Sequence, residues 1–172
     1  EAGGEQRIQA AVRDFHPEVV GLSIRNIDNV DTTAVKNFVP GYERIVGLLR
    51  RCTEARILLG GSGFSIFPGE LMSLLDADFG VVGEGEQTVC LLDALEKGDD
   101  PSALPGILVR DGAVREPVSW TGAVIRRMRP ADGIRRFYLE HGGILNLQTK
   151  RGCPFRCIYC TYPYMEGHQM RL

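Results

Sequence analysis

The chain has 172 residues, 44% of them hydrophobic, and its 20 Lys+Arg against 22 Asp+Glu give a formal net charge of −2. That length holds one domain or slightly more, with apolar residues enough to bury a core. No apolar run approaches the roughly 18 residues of a membrane span, no segment reads as a signal peptide, and five cysteines, an odd number, suit a reducing compartment; the expected location is cytoplasmic.

In chain order, Ile8, Ala11, Val12 and Phe15 recur at helical spacing and predict a helix over 5–15, broken by Pro17. Val19 to Ile24 is a short apolar run of the buried parallel-strand type. Ile45, Val46, Leu48 and Leu49 predict a helix over 41–52. Ile57 to Leu59 is the next strand, ending in Gly60-Gly61-Ser62-Gly63. Pro68 opens a helix over 68–75, since proline suits a first helical turn. Phe79 to Val82 is a third strand, ending in Gly83-Glu84-Gly85-Glu86, and a helix over 86–97 stops at Gly98. Cys52 and Cys90 fall in the helical segments and read as buried apolar residues rather than ligands.

This alternation predicts an α/β fold, an open doubly wound parallel sheet of Rossmann-like type. Ligands in such sheets bind beyond the C-terminal ends of the strands, where three loops lie: 23–26, 60–65 and 83–86. Glycines there open the backbone to a ligand, although tight strand-to-helix turns account for them equally well. No G-x-G-x-x-G fingerprint and no phosphate loop is present.

Residues 104–117 read as a hairpin, Gly106 to Arg110 and Ala113 to Glu116 around the turn Asp111-Gly112. Residues 118–141 read as a connector. The charge changes sign near here: residues 1–122 hold 11 Lys+Arg against 19 Asp+Glu, and residues 123–172 hold 9 against 3. A basic tail is one mark of nucleic-acid binding. Arg126, Arg127, Arg129, Arg135 and Arg136 have no interleaved aromatics, however, so a solvated or interdomain surface is expected instead. Gly143 to Thr149 alternates as a strand and would deliver the next loop from its C-terminal end, as in barrel-type enzymes. The stretch Tyr162 to Gly167 reads as local packing.

That loop carries Cys153, Cys157 and Cys160 in the spacing C-x3-C-x2-C. Three thiolates hold three corners of a four-iron cube, and with no fourth cysteine in reach one iron keeps an open position. Structural zinc normally wants four ligands in two pairs, and His168, eight residues on, fits no common finger. Unliganded thiols are the remaining alternative. A disulfide framework does not suit a chain this long and this poor in cysteine.

The cysteine loop resembles the signature of radical S-adenosylmethionine (SAM) enzymes. The resemblance implies a 4Fe-4S cluster on Cys153, Cys157 and Cys160, with SAM on the open iron and Tyr159 packed near its adenine. Together with the preceding sheet, the chain resembles cobalamin-binding radical SAM proteins. In those, a serine ends one strand and a Gly-Gly pair the next, positions held here by Ser23 and by Gly60 and Gly61, and a Gly-Glu-Gly-Glu turn is common. Gly83, Glu84 and Gly85 are therefore further expected cobalamin contacts. Arg25 replaces the leucine of the usual Ser-x-Leu. The Asp-x-His-x-x-Gly loop of many such domains is absent, and His16 stands in no such motif, so the lower cobalt ligand stays open.

The resemblance implies a cobalamin-type Rossmann domain over 1–117, lacking its first strands, a connector over 118–141 and the start of a radical SAM β/α barrel over 142–172, so that the sequence is expected to be an internal fragment. The implied activity is methyl transfer to an unactivated carbon of a small-molecule or lipid-like substrate, with a reductant such as flavodoxin or ferredoxin. The alternatives are a rearrangement or cyclisation without methyl transfer, and a sensory module that binds cobalamin and a cluster without turnover.

Overall fold

In a computed structural model of the chain, the described residues are 2–29, 31–113, 115–121, 132–142 and 148–171. They fall into two compact units, Glu1–Ser119 and Trp120–Leu172.

The first unit runs α1 (Ala2–Phe15), β1 (Val19–Ser23), α2 (Val39–Cys52), β2 (Arg56–Gly60), α3 (Ser62–Ile66), α4 (Pro68–Leu74), β3 (Phe79–Val81), α5 (Gln87–Lys97) and β4 (Ile107–Val109). The sheet order is β1-β2-β3-β4. The first three strands are parallel, with Leu22 opposite Leu59 and Leu59 opposite Gly80. Helices cover both faces. Ile57 and Leu59 of β2 point to one face and pack with Val12 of α1, Val46 and Leu49 of α2, Phe64 of α3, and Leu71 and Met72 of α4. Leu58 points the other way, to Phe79, Val81, Ile107 and Leu91 of α5. Burial on both faces is why these strands read as unbroken apolar runs. Fully burying a side chain such as Leu59 or Phe64 stabilises the fold by about 1.5–3 kcal/mol. Gly80 makes room for the second of these, because a Cβ there would overlap the Phe64 ring and lie 3.2 Å from the Met72 sulfur.

Helix ends follow local chemistry. Pro68 occupies the first turn of α4. Gly98 ends α5 in the left-handed conformation at φ 75°, a position that favours glycine. Of the four apolar positions in α1, Val12 is buried and Ile8 packs against the core, while Ala11 and Phe15 are exposed.

Of the hairpin expected over 104–117, the turn and one backbone bond across it are present, and its first strand also pairs with the sheet. Ile107 to Val109 pairs antiparallel with β3, and among the described residues 113–116 no return strand is assigned. The Asp111-Gly112 turn is made, with Gly112 N donating to Val109 O at 2.9 Å and Gly106 N donating to Arg115 O at 3.2 Å. Pairing with β3 buries Leu108 on one face and Ile107 on the other. The parallel sheet thus gains one antiparallel strand. Cys52 also departs from expectation. It is the last residue of α2 and is exposed, while Cys90 is half-buried, off the Gln87, Leu91, Ala94 stripe that faces the sheet.

At the N-terminal ends of β2 and β3 a charged clamp closes the sheet. Asp78 accepts from Ile57 N at 2.7 Å, from an Arg50 guanidinium nitrogen at 2.8 Å and from Arg110 at 2.9 Å. Arg50 also reaches Asp76 O at 2.6 Å, and Arg110 pairs with the Asp76 carboxylate. Burial pushes the Asp78 carboxyl up, but the bonds from Ile57, Arg50 and Arg110 outweigh it and hold the group below the usual carboxylate range.

In the second unit, α6 (Asp132–Gly142) lies where the sequence suggested a connector, and α7 (Tyr162–Glu166) follows the cysteine loop. Phe137, Tyr138 and Leu139 of α6 are exposed, and Phe137 stacks on His141 with centroids 4.4 Å apart. The strand expected over 143–149 lies outside the described residues except for 148 and 149, which carry no strand.

Candidate functional site

The three loops at the C-terminal ends of β1, β2 and β3 are stitched together by backbone. Ile24 N donates to Gly60 O at 2.7 Å, and Ile24 O accepts from Gly63 N at 2.9 Å and Phe64 N at 3.2 Å. This close approach needs glycine. Gly61 has φ 97°, and a Cβ on it would sit 2.6 Å from Ile24 O. A Cβ on Gly63 would sit 3.0 Å from Arg25 O. Two serines complete the stitching: Ser62 Oγ donates to Arg25 O at 2.9 Å, and Ser65 Oγ donates to Gly61 O at 3.0 Å while accepting from Gly83 N at 2.9 Å. Ser65 is almost fully buried, as expected of a hydroxyl with both partners inside the fold.

The long β1–α2 connection is braced by its own side chains. Asp31 accepts from Thr33 Oγ1 at 2.7 Å, Thr33 N at 2.8 Å and Ala34 N at 3.2 Å. Those bonds, the side-chain bond from Thr33 foremost, hold its carboxyl below the usual range. Tyr42 Oη donates to Asn26 O at 2.9 Å and ties the start of the connection to α2.

Along the C-terminal halves of β1 and β2 and the end of β3 lies a cavity of about 310 Å3 lined by residues that include Gly21, Ser23, Leu58, Gly60, Gly61, Val81 and Gly85. Four of the expected contacts, Ser23, Gly60, Gly61 and Gly85, therefore meet at one place. Gly83 and Glu84 do not line it. The Gly83 amide is taken by Ser65, and Glu84 is buried. Thr88, at the start of α5, adds a hydroxyl to the lining. Sequence reasoning missed Ser62, Ser65 and Thr88. A serine one residue past Gly-Gly, in a turn short of free acceptors, was the available signal for the first.

The cysteine loop is pinned at its base. Arg151 and Arg171 exchange backbone bonds of 2.9 and 2.8 Å, and Cys153 N donates to Gly167 O at 3.0 Å. Gly152 has φ 79°, and a Cβ there would overlap the Gln169 carbonyl. Arg171 donates to Trp120 O at 2.8 Å and to Glu166 O, and Arg151 lies 3.7 Å from the Glu166 carboxylate. From this base the loop projects outward. Cys153 is half-buried and Cys157 and Cys160 are exposed, all as free thiols. Tyr159 is 86% and Ile158 103% exposed. Cys160 N donates to Cys157 O at 3.2 Å, a turn that brings two of the cysteines onto one bend. The donor set suits an iron–sulfur cluster, but among the described residues no three Cys, His, Asp or Glu side chains are gathered as a metal-holding group.

Residues 2–93 match the B12 binding domain family. The tryptophan 2-C-methyltransferase of Streptomyces laurentii is 26% identical over 95% of this chain and 36% of its own length. An uncharacterised methyltransferase of Pyrococcus horikoshii shows the same identity and the same shares. Among solved structures, the radical S-adenosylmethionine methyltransferase TsrM of Kitasatospora setae, with tryptophan substrate and a SAM analogue bound, superposes with a TM-score of 0.75 at 30% identity, covering 95% of this chain and 34% of that one. The same enzyme with cobalamin and a [4Fe-4S] cluster bound gives 0.73 at 26%, covering 95% and 35%. The chain thus spans about a third of the length of the relatives it matches.

Proposed function

Because the chain belongs to the B12-binding domain family, we propose that its first unit holds cobalamin at the strand-end pole as part of a cobalamin-dependent radical SAM methyltransferase. The observation that carries this is the cavity where Ser23, Gly60, Gly61 and Gly85 meet. The similarity to a tryptophan 2-C-methyltransferase, and to the radical SAM methyltransferase TsrM with cobalamin and a [4Fe-4S] cluster bound, supports it. Residues 1–117 form the cobalamin module on this reading, 118–141 connect it, and 142–172 begin the radical SAM domain.

When bound, the corrinoid supplies a methyl carrier, and the cluster supplies an electron and an anchor for SAM. The chain's own part is positioning. Gly60 and Gly61 bring bare backbone to the ligand, and Ser23 and Thr88 offer hydroxyls at the cavity wall. The Ser65 bridge fixes the spacing of the second and third loops. Gly83 and Glu84 belong to the turn that carries Gly85, rather than to the cavity lining. Cys153, Cys157 and Cys160 are the cluster ligands on this reading. Their loop is held at its base by Gly152 and the Arg151–Arg171 pair. Tyr159 lies beside the third cysteine for the adenine of SAM. The substrate is a small molecule, methylated at an unactivated carbon, with electrons from a flavodoxin- or ferredoxin-type donor.

Anaerobic reconstitution tests the cluster. About four irons and four sulfides should bind. Cys153→Ala, Cys157→Ala and Cys160→Ala should each lose the brown absorbance, and Cys52→Ala should not. Stoichiometric zinc with no iron would overturn it. Turnover is tested on the longer protein that contains this chain. Release of S-adenosylhomocysteine supports methyl transfer, release of 5′-deoxyadenosine alone supports a rearrangement, and release of neither leaves a binding module.

A further inference from the structure

The cysteine loop has little beneath it. Phe155, Ile158 and Tyr159 are largely exposed, and Cys157 and Cys160 are exposed with them. Gathering three thiolates from such a loop costs the conformational entropy of every residue fixed, so whatever closes the loop in advance decides how readily it takes a cluster. The closure is made by the stretch that follows. From Cys160 the chain runs through α7, whose last residue is Glu166, and comes back to the start of the loop at Gly167, whose carbonyl accepts from Cys153 N at 3.0 Å. Arg151 and Arg171 then bond backbone to backbone in both directions, so that residues 151–171 form a ring.

Arg171 is where the ring is fastened. Besides its backbone bonds, one guanidinium nitrogen donates to Trp120 O at 2.8 Å and the other donates to Glu166 O, both in partly buried positions. The Glu166 carbonyl is one of those at the end of α7 that the helix itself leaves unpaired, and it lies one peptide before the carbonyl that holds Cys153. A planar fork serves two carbonyls at once, whereas the compact ammonium of a lysine does not reproduce its geometry. Cys157 and Cys160 share a turn of their own, through Cys160 N and Cys157 O.

We propose that Arg171 is a positioning residue for the iron–sulfur cluster. By fixing Glu166 against Trp120 it holds Gly167, and through Gly167 it sets the first ligand, Cys153, in place before iron arrives. This rests on the cluster reading above. The effect of losing the fork falls on one ligand of the three.

The test compares the longer protein that contains this chain with its variants Arg171→Ala, Arg171→Lys and Arg136→Ala, the last removing an exposed arginine of α6 that lies outside the ring. Without iron, alkylation of each cysteine is timed by mass spectrometry. Cys153 should react roughly tenfold faster in Arg171→Ala than in the wild type, with Cys157 and Cys160 changed by less than about twofold, as a local opening requires. With iron and sulfide, Arg171→Ala should hold the cluster roughly tenfold or more weakly, in the range of lost outer-shell contacts at metal sites, and the electron paramagnetic resonance spectrum of the reduced cluster should change. Arg171→Lys should fall between Arg171→Ala and the wild type in all three readouts, and Arg136→Ala should match the wild type. Wild-type iron affinity and spectrum in Arg171→Ala overturn the proposal, whatever the alkylation rates. Equal acceleration of all three cysteines in both Arg171 variants overturns it too, because Arg171 then serves the fold of the second unit as a whole. A wild type that takes up no iron removes the cluster reading and the positioning role with it, while alkylation without iron still shows whether the fork holds Cys153.

Discussion

Where its strands begin, the sheet is closed by charge, and where they finish it is closed by backbone. At the beginning, Asp78 gathers the Ile57 amide, Arg50 and Arg110, and both arginines also reach Asp76. At the finish, Ile24, Gly61, Gly63, Ser65 and Gly83 join three loops with no ionised group among their bonds. The difference has a physical reason. Long arginines reach across the strand starts and tie them through side-chain bonds to Asp76 and Asp78. Glycine and serine hold the strand-end loops within hydrogen-bond distance and leave bare backbone at Gly60, Gly61 and Gly85 lining the cavity there.

The comparison breaks most readily at Gly61. Gly61→Ala places a Cβ against the Ile24 carbonyl at a φ of 97°, where side chains are strained. The expected loss is about 3 kcal/mol of stability, combining backbone strain with overpacking. Chemical denaturation measures it, and corrinoid binding should fall with it.

Asp78→Asn is the matching change at the other pole. It should cost about 2 kcal/mol, through loss of charge-assisted bonds to arginines that still reach solvent. Corrinoid affinity of the folded fraction should not change. The sign with pH follows from the lowered carboxyl. Its stabilisation is complete above the unfolded value of about 3.9 and is lost as pH falls through the lower folded value. Melting curves between about pH 6 and pH 2 should show this acid limb in the wild type and a shallower one in the variant. Parallel limbs would mean that Asp78 does not carry it.

Ser65→Ala should cost about 1 kcal/mol by leaving the Gly83 amide without its partner. Amide exchange should rise in the 83–86 turn while β2 and β3 stay protected. Salt gives the smallest effect. Raising it from low to about 1 M should weaken the charged pole by a few tenths of a kcal/mol and leave the glycine pole unaltered, read as a smaller gap between wild type and Asp78→Asn.

The cysteine loop and the sheet were legible to different degrees. Residue types and spacing named Cys153, Cys157 and Cys160, yet spacing along a chain says nothing of where sulfurs point, and here they stand apart on an outward loop. Gly152 was legible only as a loop former; its need for glycine comes from the Gln169 carbonyl, seventeen residues away in sequence.

The sequence by itself determined most of the alternation of helices and strands in the first unit, to within three residues at each end, but read the short helix α3 (Ser62–Ile66) as part of a loop. Burial on both faces of a parallel sheet forces continuous apolar strands and one-sided helices, and both patterns are local. It also determined the presence of Ser23, Gly60 and Gly61 at strand ends. Only the tertiary structure decided that β4 joins the sheet antiparallel to β3, a pairing that buries Ile107 and Leu108. Only the tertiary structure turned Ser65 into a bridge, took the Gly83 amide out of use and left Gly21 facing empty space. Each depends on distances between residues far apart in the chain, and no local pattern encodes those.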